Sequence, residues 1–385
     1  MILKIPLFFL IIASPILSLA ADPSCPLVKT ALVSSSALRH LALKKEVPCK
    51  TKSRADVEKY LRLELNKKEV RARLENEGEI YKILGYIPAS YPYLDGLISL
   101  YVSQIGGYYE PKQDYYAMAD WIPSSLQLPI AVHELTHALQ DQYFHLEKFM
   151  DNEKQSTDTL LARSALVEGD ATLVMVNFTR QQRGMPPLEA ESSAASVLFQ
   201  NILGTLLSPQ IASAPATLQA TMIFPYMSGL EFAHNVIKKG GYTALDKVFV
   251  NPPRSTSEIL HPERYYNREP VLTLAPLPAT EGAFKRITSD TFGEFFLSTW
   301  LSQFVSPTQA STLASAWAGD EIALYKNDQG EKKITWQIAI RTKKTADEII
   351  SALNQKKAQA SKEDAISRLS FSEEEKEGYT LVSIH

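Results

Sequence analysis

Apolar positions recur at helical spacing through most of the first two thirds of the chain. From Ser53 to Leu84, Val57, Tyr60, Leu61 and Leu65 mark one stripe on a stretch otherwise rich in Glu, Lys and Arg. This predicts a charged, solvent-facing helix or helix pair, ended by Gly85 and Pro88, with a shorter helix over Tyr91 to Val102. Between Gln104 and Asp120 the period changes. Tyr108 and Tyr109, then Tyr115 and Tyr116, flank a polar Glu-Pro-Lys-Gln-Asp turn, the pattern of a β-hairpin. Helical spacing returns after Pro129 with Ile130, Val132, Leu135, Ala138 and Leu139, and continues to about His145. A second long helix is predicted from Asp158 to about Arg183, capped by Ser156 or Thr157 and stopped by Gly184 and Pro186. A third runs from Tyr226 to Lys239, closed by Gly240 and Gly241.

Ser255 followed by Glu258 reads as the capping box of a short helix that Pro262 ends. Beyond it, Thr291 to Ala318 is helical in pattern, Glu321 to Tyr325 and Lys333 to Arg341 read as strands, Thr345 to Gln359 as a helix, and Tyr379 to Ile384 as a last strand. The expected fold class is α+β. A mostly helical domain with a small sheet spans residues 21–270, followed by a smaller α+β region over 271–385.

The chemistry concentrates in Val132 to Gln142. On a helix, His133 and His137 stand four apart on one face and can grip one metal ion while Glu134 stands beside them. With zinc in such a site, a water in the open position has its pKa lowered towards about 7, and Glu134 is placed to take its proton. The competing interpretation is an amphipathic helix with two surface histidines. Glu168 interrupts the apolar stretch Ala165 to Met175, where an unpaired carboxylate is costly, so it is the expected third ligand. Asp170 is the rival, either as ligand or as hydrogen-bond partner of one of the histidines, and Asp141 is placed to orient an imidazole or cap a neighbour. Gly169 suggests that this helix packs closely on the metal helix. His261, with Tyr265 second, is the candidate donor to an oxyanion, against a plain role in fixing a loop. His234 shares a helical face with Leu230 and Ile237 and reads as a packing residue.

With 385 residues, 45% hydrophobic and 22% charged, the composition is that of an ordinary globular protein, and a net charge of −3 argues against a nucleic-acid partner. Lys4, the apolar run Ile5 to Ile12, and Ser18-Leu19-Ala20 form a signal peptide over residues 1–20, so the mature chain is expected to begin at Ala21, secreted or periplasmic and without a membrane span. The only two cysteines, Cys25 and Cys49, are then expected to form a disulfide.

The pair HELTH and ALVEGDA resembles the gluzincin branch of the zincin metallopeptidases, in which two histidines and a glutamate from a following helix hold zinc. More narrowly, HELTHALQDQ, EGDA and LHPERY resemble a group of exported bacterial proteins grouped as metallopeptidases. The resemblance covers about Tyr81 to Tyr266. It departs from the thermolysin-like pattern at Thr172, where an aspartate usually follows the ligand glutamate by four residues, and from the metzincin pattern at Tyr143 and Gln140. It implies a zincin-like fold, Zn²⁺ on His133, His137 and Glu168, and hydrolysis of peptide bonds in a peptide or protein substrate. An amidase acting on cell-wall peptide would share the same metal site. A zinc-stabilised envelope scaffold is the non-enzymatic alternative, and Glu134 counts against it, since a structural site needs no base.

Overall fold

The computed structural model describes residues 25–151, 155–194 and 209–385. The expected signal peptide and part of the Ala- and Ser-rich stretch after Gly184 lie outside them. The architecture is α+β. Helix α1, Val28–Arg39, leads to strand β1, Cys49–Lys52, and the Cys25–Cys49 disulfide joins the start of one to the start of the other. The charged stretch is a helix pair, α2 (Arg54–Leu65) and α3 (Lys68–Ile83). Ser53 and Asp56 make a reciprocal capping box at the start of α2, and Gly85, with φ 76°, turns the chain after α3. Val57, Leu61 and Leu65 are the buried face of α2, as the stripe predicts.

Helix α4, Tyr93–Gln104, precedes the predicted hairpin, β2 (Gly107–Glu110) and β3 (Tyr115–Ala119), in which Tyr109 lies opposite Tyr116. β1 pairs in parallel with the other side of β3, so the small sheet has the order β1-β3-β2 and β2 is an edge. Helix α5, Ser124–Phe144, begins earlier than expected and contains Pro129 in its second turn, where the missing N–H leaves the Ser125 carbonyl without its i→i−4 donor. After a short α6, Leu146–Phe149, comes α7, Thr157–Gln182, whose N-terminus is capped by Ser156 accepting from Thr159 N at 3.2 Å. A short α8, Pro209–Ser213, precedes α9, Ala216–Val250. α9 is two helices in one run: Gly240 and Gly241, with non-helical backbone, close the first as expected, and a second follows.

Helices α10, Thr256–Leu260, and α11, Pro262–Asn267, complete this part. Ser255 stands at the start of α10 without a side-chain cap: the Glu258 N donates to the Ser255 carbonyl at 3.1 Å, and the Glu258 carboxylate accepts from Arg254 N at 2.6 Å. The rest builds an antiparallel six-stranded sheet of order β4-β5-β6-β7-β9-β8, from β4 (Thr280–Glu281), β5 (Phe284–Asp290), β6 (Trp317–Lys326), β7 (Lys332–Ile340), β8 (Phe371–Lys376) and β9 (Tyr379–Ile384). The predicted Thr291 to Ala318 helix is two helices, α12 (Gly293–Leu301) and α13 (Pro307–Ala314), because Ser306 caps a new start and Pro307 occupies its first turn. Helix α14, Lys343–Gln359, packs on β8 and β9.

The boundary near residue 270 is not a gap in the core. One apolar cluster includes Leu84, Tyr86, Phe296, Trp300 and Trp336, and across it Tyr86 donates to Phe296 O at 2.7 Å and Trp300 Nε1 to Leu84 O at 3.0 Å. No described helix is long and apolar enough to cross a membrane.

Candidate metal centre

α5 and α7 pack together and bring three side chains to one point. His133 Nε2 lies 3.2 Å from His137 Nε2 and 3.1 Å from Glu168 Oε2, and His137 Nε2 lies 3.5 Å from the same carboxylate oxygen. The three are buried, with exposures of 7%, 4% and 1% for His133, His137 and Glu168. Ligand atoms so gathered can hold a metal ion, and among the described residues this is the group of His, Cys, Asp and Glu that can do so. The surface-histidine interpretation therefore fails, since both rings point inward. Burial pushes the Glu168 carboxyl up, but the His137 and His133 rings beside it overcome this and hold it down to about 2. Burial opposes the His137 charge, yet Glu168 and Glu134 raise that imidazole to about 9. Glu134 is pushed above the usual carboxylate range by burial, against the lowering effect of the two histidines. Its Oε2 accepts from Tyr109 N at 3.2 Å.

A second layer fixes one of the candidate ligands. His137 Nδ1 is 2.8 Å from Gln140 Oε1, while Gln140 Nε2 donates to Val167 O at 3.0 Å and Asp170 Oδ2 at 2.9 Å. Because the amide nitrogen is committed to two acceptors, its oxygen must face the ring, and Nδ1 must carry the proton. In the neutral ring Nε2 is then the nitrogen free to bind a metal. Asp170 touches neither histidine directly; it receives Arg39 Nε at 2.8 Å, and Arg39 Nη2 reaches Asp246 at 2.7 Å. Asp141 acts as a neighbour's cap, accepting from Leu146 N at 2.8 Å and from the Tyr109 hydroxyl at 3.0 Å. His133 Nδ1 is buried without a hydrogen-bond partner among the described residues.

Gly169 does serve a close approach, but to α9 rather than to the metal helix. A Cβ on Gly169 would meet Gly229 O at 2.1 Å, and one on Gly229 would meet Ala165 O at 2.0 Å, so each glycine exists to let the two backbones touch. That crossing sets Tyr226, one turn before Gly229, against the ligands. Its ring lies 6.1 Å from that of His133, and its phenol interacts with the Glu168 carboxylate. Tyr226 is the functional-site residue that sequence reasoning missed. The only signal was a glycine in the middle of an apolar helix three residues after a tyrosine.

His261 and Tyr265 are placed elsewhere. His261 Nε2 is 2.6 Å from Glu294, which also receives Arg264 at 2.9 Å, and the Tyr265 hydroxyl donates to Asn251 O at 2.8 Å. α10, which leads into this turn, is held at the start of α7 by Asp158 accepting from Thr256 N at 2.9 Å. Asp158 precedes Glu168 by ten residues, roughly 15 Å along the helix. Neither side chain lines the cavity at the ligands, so the expected oxyanion role does not fit their position. His234 is a packing residue as predicted, 1% exposed and 3.1 Å from Leu188 O.

A cavity of about 380 Å³ opens over the ligands, lined by His133, Glu134, His137, Glu168 and Tyr226, with β2 along one side and Tyr60 and Leu61 of α2 forming another wall. The first helix of the charged pair, α2, thus forms part of the cleft wall. Residues 281–382 match a family described as a domain of unknown function, DUF8575. No curated protein and no solved structure matches the chain. The DUF8575 segment coincides with the six-stranded sheet and its helices, and every residue of the metal centre lies outside it.

Proposed function

We propose that the protein is an exported zinc-dependent metallopeptidase. The observation that carries this is the spacing of the donor atoms. A tetrahedral zinc with bonds of about 2.0–2.1 Å needs its ligand atoms about 3.3 Å apart. The three separations here are 3.2, 3.1 and 3.5 Å. His133, His137 and Glu168 fit zinc in ligand type as well, and a zinc there would supply Lewis acidity at an open fourth position.

The chain's own side chains account for the rest of the chemistry. Glu134 stands beside the open position with a carboxyl that burial makes more basic, suited to take a proton from water and pass it to the leaving nitrogen. Tyr226 supplies the donor for the oxygen that becomes negative on the attacked carbonyl, the role first expected of His261 or Tyr265. The outer edge of β2 faces the cavity, since Tyr109 N points away from β3 to Glu134, and such an edge can pair with an extended substrate.

Metal analysis of the mature protein together with a peptide library tests this reading. About one zinc per chain and cleavage by wild type are expected, with Glu134→Gln keeping zinc and losing cleavage, and Glu168→Ala losing zinc. Protein that binds no zinc, or a Glu134→Gln variant that still cleaves, overturns it.

A further inference from the structure

The cavity runs well past the three ligands, and its distal part is built for apolar groups. α5 and α7 run antiparallel beside it. Gln140 meets Val167 and Asp170, while Ala131 and Val132 share an apolar cluster with Val174 and Phe178. Moving away from the ligands, one face of α5 therefore presents Ile130 and Leu126, with Ile122 just ahead of the helix, and α7 presents Thr172, Met175 and Thr179 opposite. Ile130 and Leu126 stand at helical spacing from His133, and the three α7 residues from Glu168, so each helix directs a single stripe into the cavity.

The state of these side chains separates them from the core. Val132, Leu135 and Ala138 on the other faces of α5 are completely buried. Ile122, Leu126 and Ile130, with Ile105 after α4 and Met175 on α7, are only half-buried and leave apolar surface inside a concave chamber. Apolar surface gathered in a cleft, rather than scattered, marks a site for an apolar ligand group. At 1.5 Å per residue Ile130 and Leu126 lie roughly 5 and 10 Å along α5 from His133, and Ile122 lies beyond them. An extended chain at about 3.3 Å per residue crosses that distance with the residues about two and three places from a bond held at the ligands, and reaches Ile122 with the next.

We propose that this chamber binds large apolar side chains of an extended polypeptide, two to four residues to one side of the bond that is cut. The proposal rests on the peptidase reading and narrows its substrate class to polypeptide segments carrying Leu, Ile, Met or Phe. A short crosslink peptide of small and acidic residues would leave the chamber unfilled.

Ten-residue fluorescent peptides, each identical except for one position set to Leu, Phe, Ala or Asp, test it in two ways. Affinity is read by anisotropy on the zinc-loaded Glu134→Gln protein, and kcat/KM on the zinc-loaded wild type. Leu or Phe at one of the distal positions is expected to bind about tenfold tighter than Ala, the usual effect of burying such a side chain. In the Glu134→Gln background, Leu126→Arg is expected to remove that preference, so that the Leu and Ala peptides bind alike. Leu126→Ala, which adds no charge, is expected to weaken it by several-fold if the arginine variant does not fold. Cleavage with no apolar preference at any distal position overturns the chamber and leaves the peptidase reading standing. Apolar preference in binding without cleavage by wild type supports the chamber and overturns hydrolysis.

Discussion

Gln140 Oε1 sits 2.8 Å from His137 Nδ1, held there because the same amide donates to Asp170 at 2.9 Å. A metal-ligating imidazole is commonly oriented by a carboxylate or a carbonyl; at His137, a candidate ligand, an amide takes that place, kept in one orientation by a buried aspartate. Gln140→Leu is expected to lower zinc affinity by about 10- to 100-fold, read by competition with a chromophoric chelator. Unchanged affinity would show that the ring is held by packing alone.

The support reaches the N-terminal helix. Arg39 and Asp170 are both completely buried, and they pair at 2.8 Å. Arg39→Met leaves Asp170 with a buried charge whose ionic partner is gone, and removing one partner of such a pair costs about 3–5 kcal/mol. Urea unfolding of zinc-free protein measures this directly. A loss under about 1 kcal/mol would mean that solvent or a rearranged neighbour satisfies the aspartate.

Tyr226→Phe removes one hydroxyl and little volume. If that hydroxyl serves the oxyanion, kcat on a good peptide falls by about 10²–10³-fold while zinc content and KM stay near wild type. Tyr265→Phe, which loses a bond to Asn251 O, is the control and keeps the wild-type kcat. Equal effects of the two substitutions would count against the assignment.

Asp158 lies where α7, α10 and α12 meet, and burial raises its carboxyl well above the ordinary value despite bonds from Thr256. The folded chain therefore holds this proton at pH values where the unfolded chain has lost it. Its contribution to stability is fully present below the unfolded pKa of about 4 and declines as pH rises towards the folded pKa. Asp158→Asn keeps an oxygen for Thr256 and cannot ionise. The variant should gain on wild type steadily as pH rises above about 4 in urea-unfolding series, and parallel curves would refute the shift.

The disulfide closes the loop from Cys25 to Cys49 and ties α1 to β1, the strand beside β3. A loop of this length is worth about 3 kcal/mol by the chain-entropy relation. The Cys25→Ser, Cys49→Ser pair should lose about that much in urea unfolding, and a smaller loss would point to residual order in the unfolded segment.

Much of this protein is written in local pattern. The two-histidine spacing, the buried glutamate, the cap at Ser156, the tyrosine hairpin and the cysteine pair each follow from properties within a few residues, or from a count of two. Those readings needed no knowledge of distant partners. The strands β5 and β8 escaped for the same reason, because Phe284–Asp290 is only half-buried and Phe371–Lys376 is a charged, exposed edge whose identity as a strand comes from pairing with β9.

What sequence could not decide is which elements cross. His261 and Tyr265 had suitable chemistry, but Thr256 and Asp158 hold the helix before them at the far end of α7. Tyr226 had no distinguishing neighbourhood along the chain, and becomes part of the centre because Gly169 and Gly229 let two helix backbones touch. Asp170 likewise looked like a ligand until Arg39, from the other end of the domain, claimed it. Ligand type and periodicity are properties of short segments. Distance between side chains on different helices is set by packing, and the smallest residues at the crossing set it here.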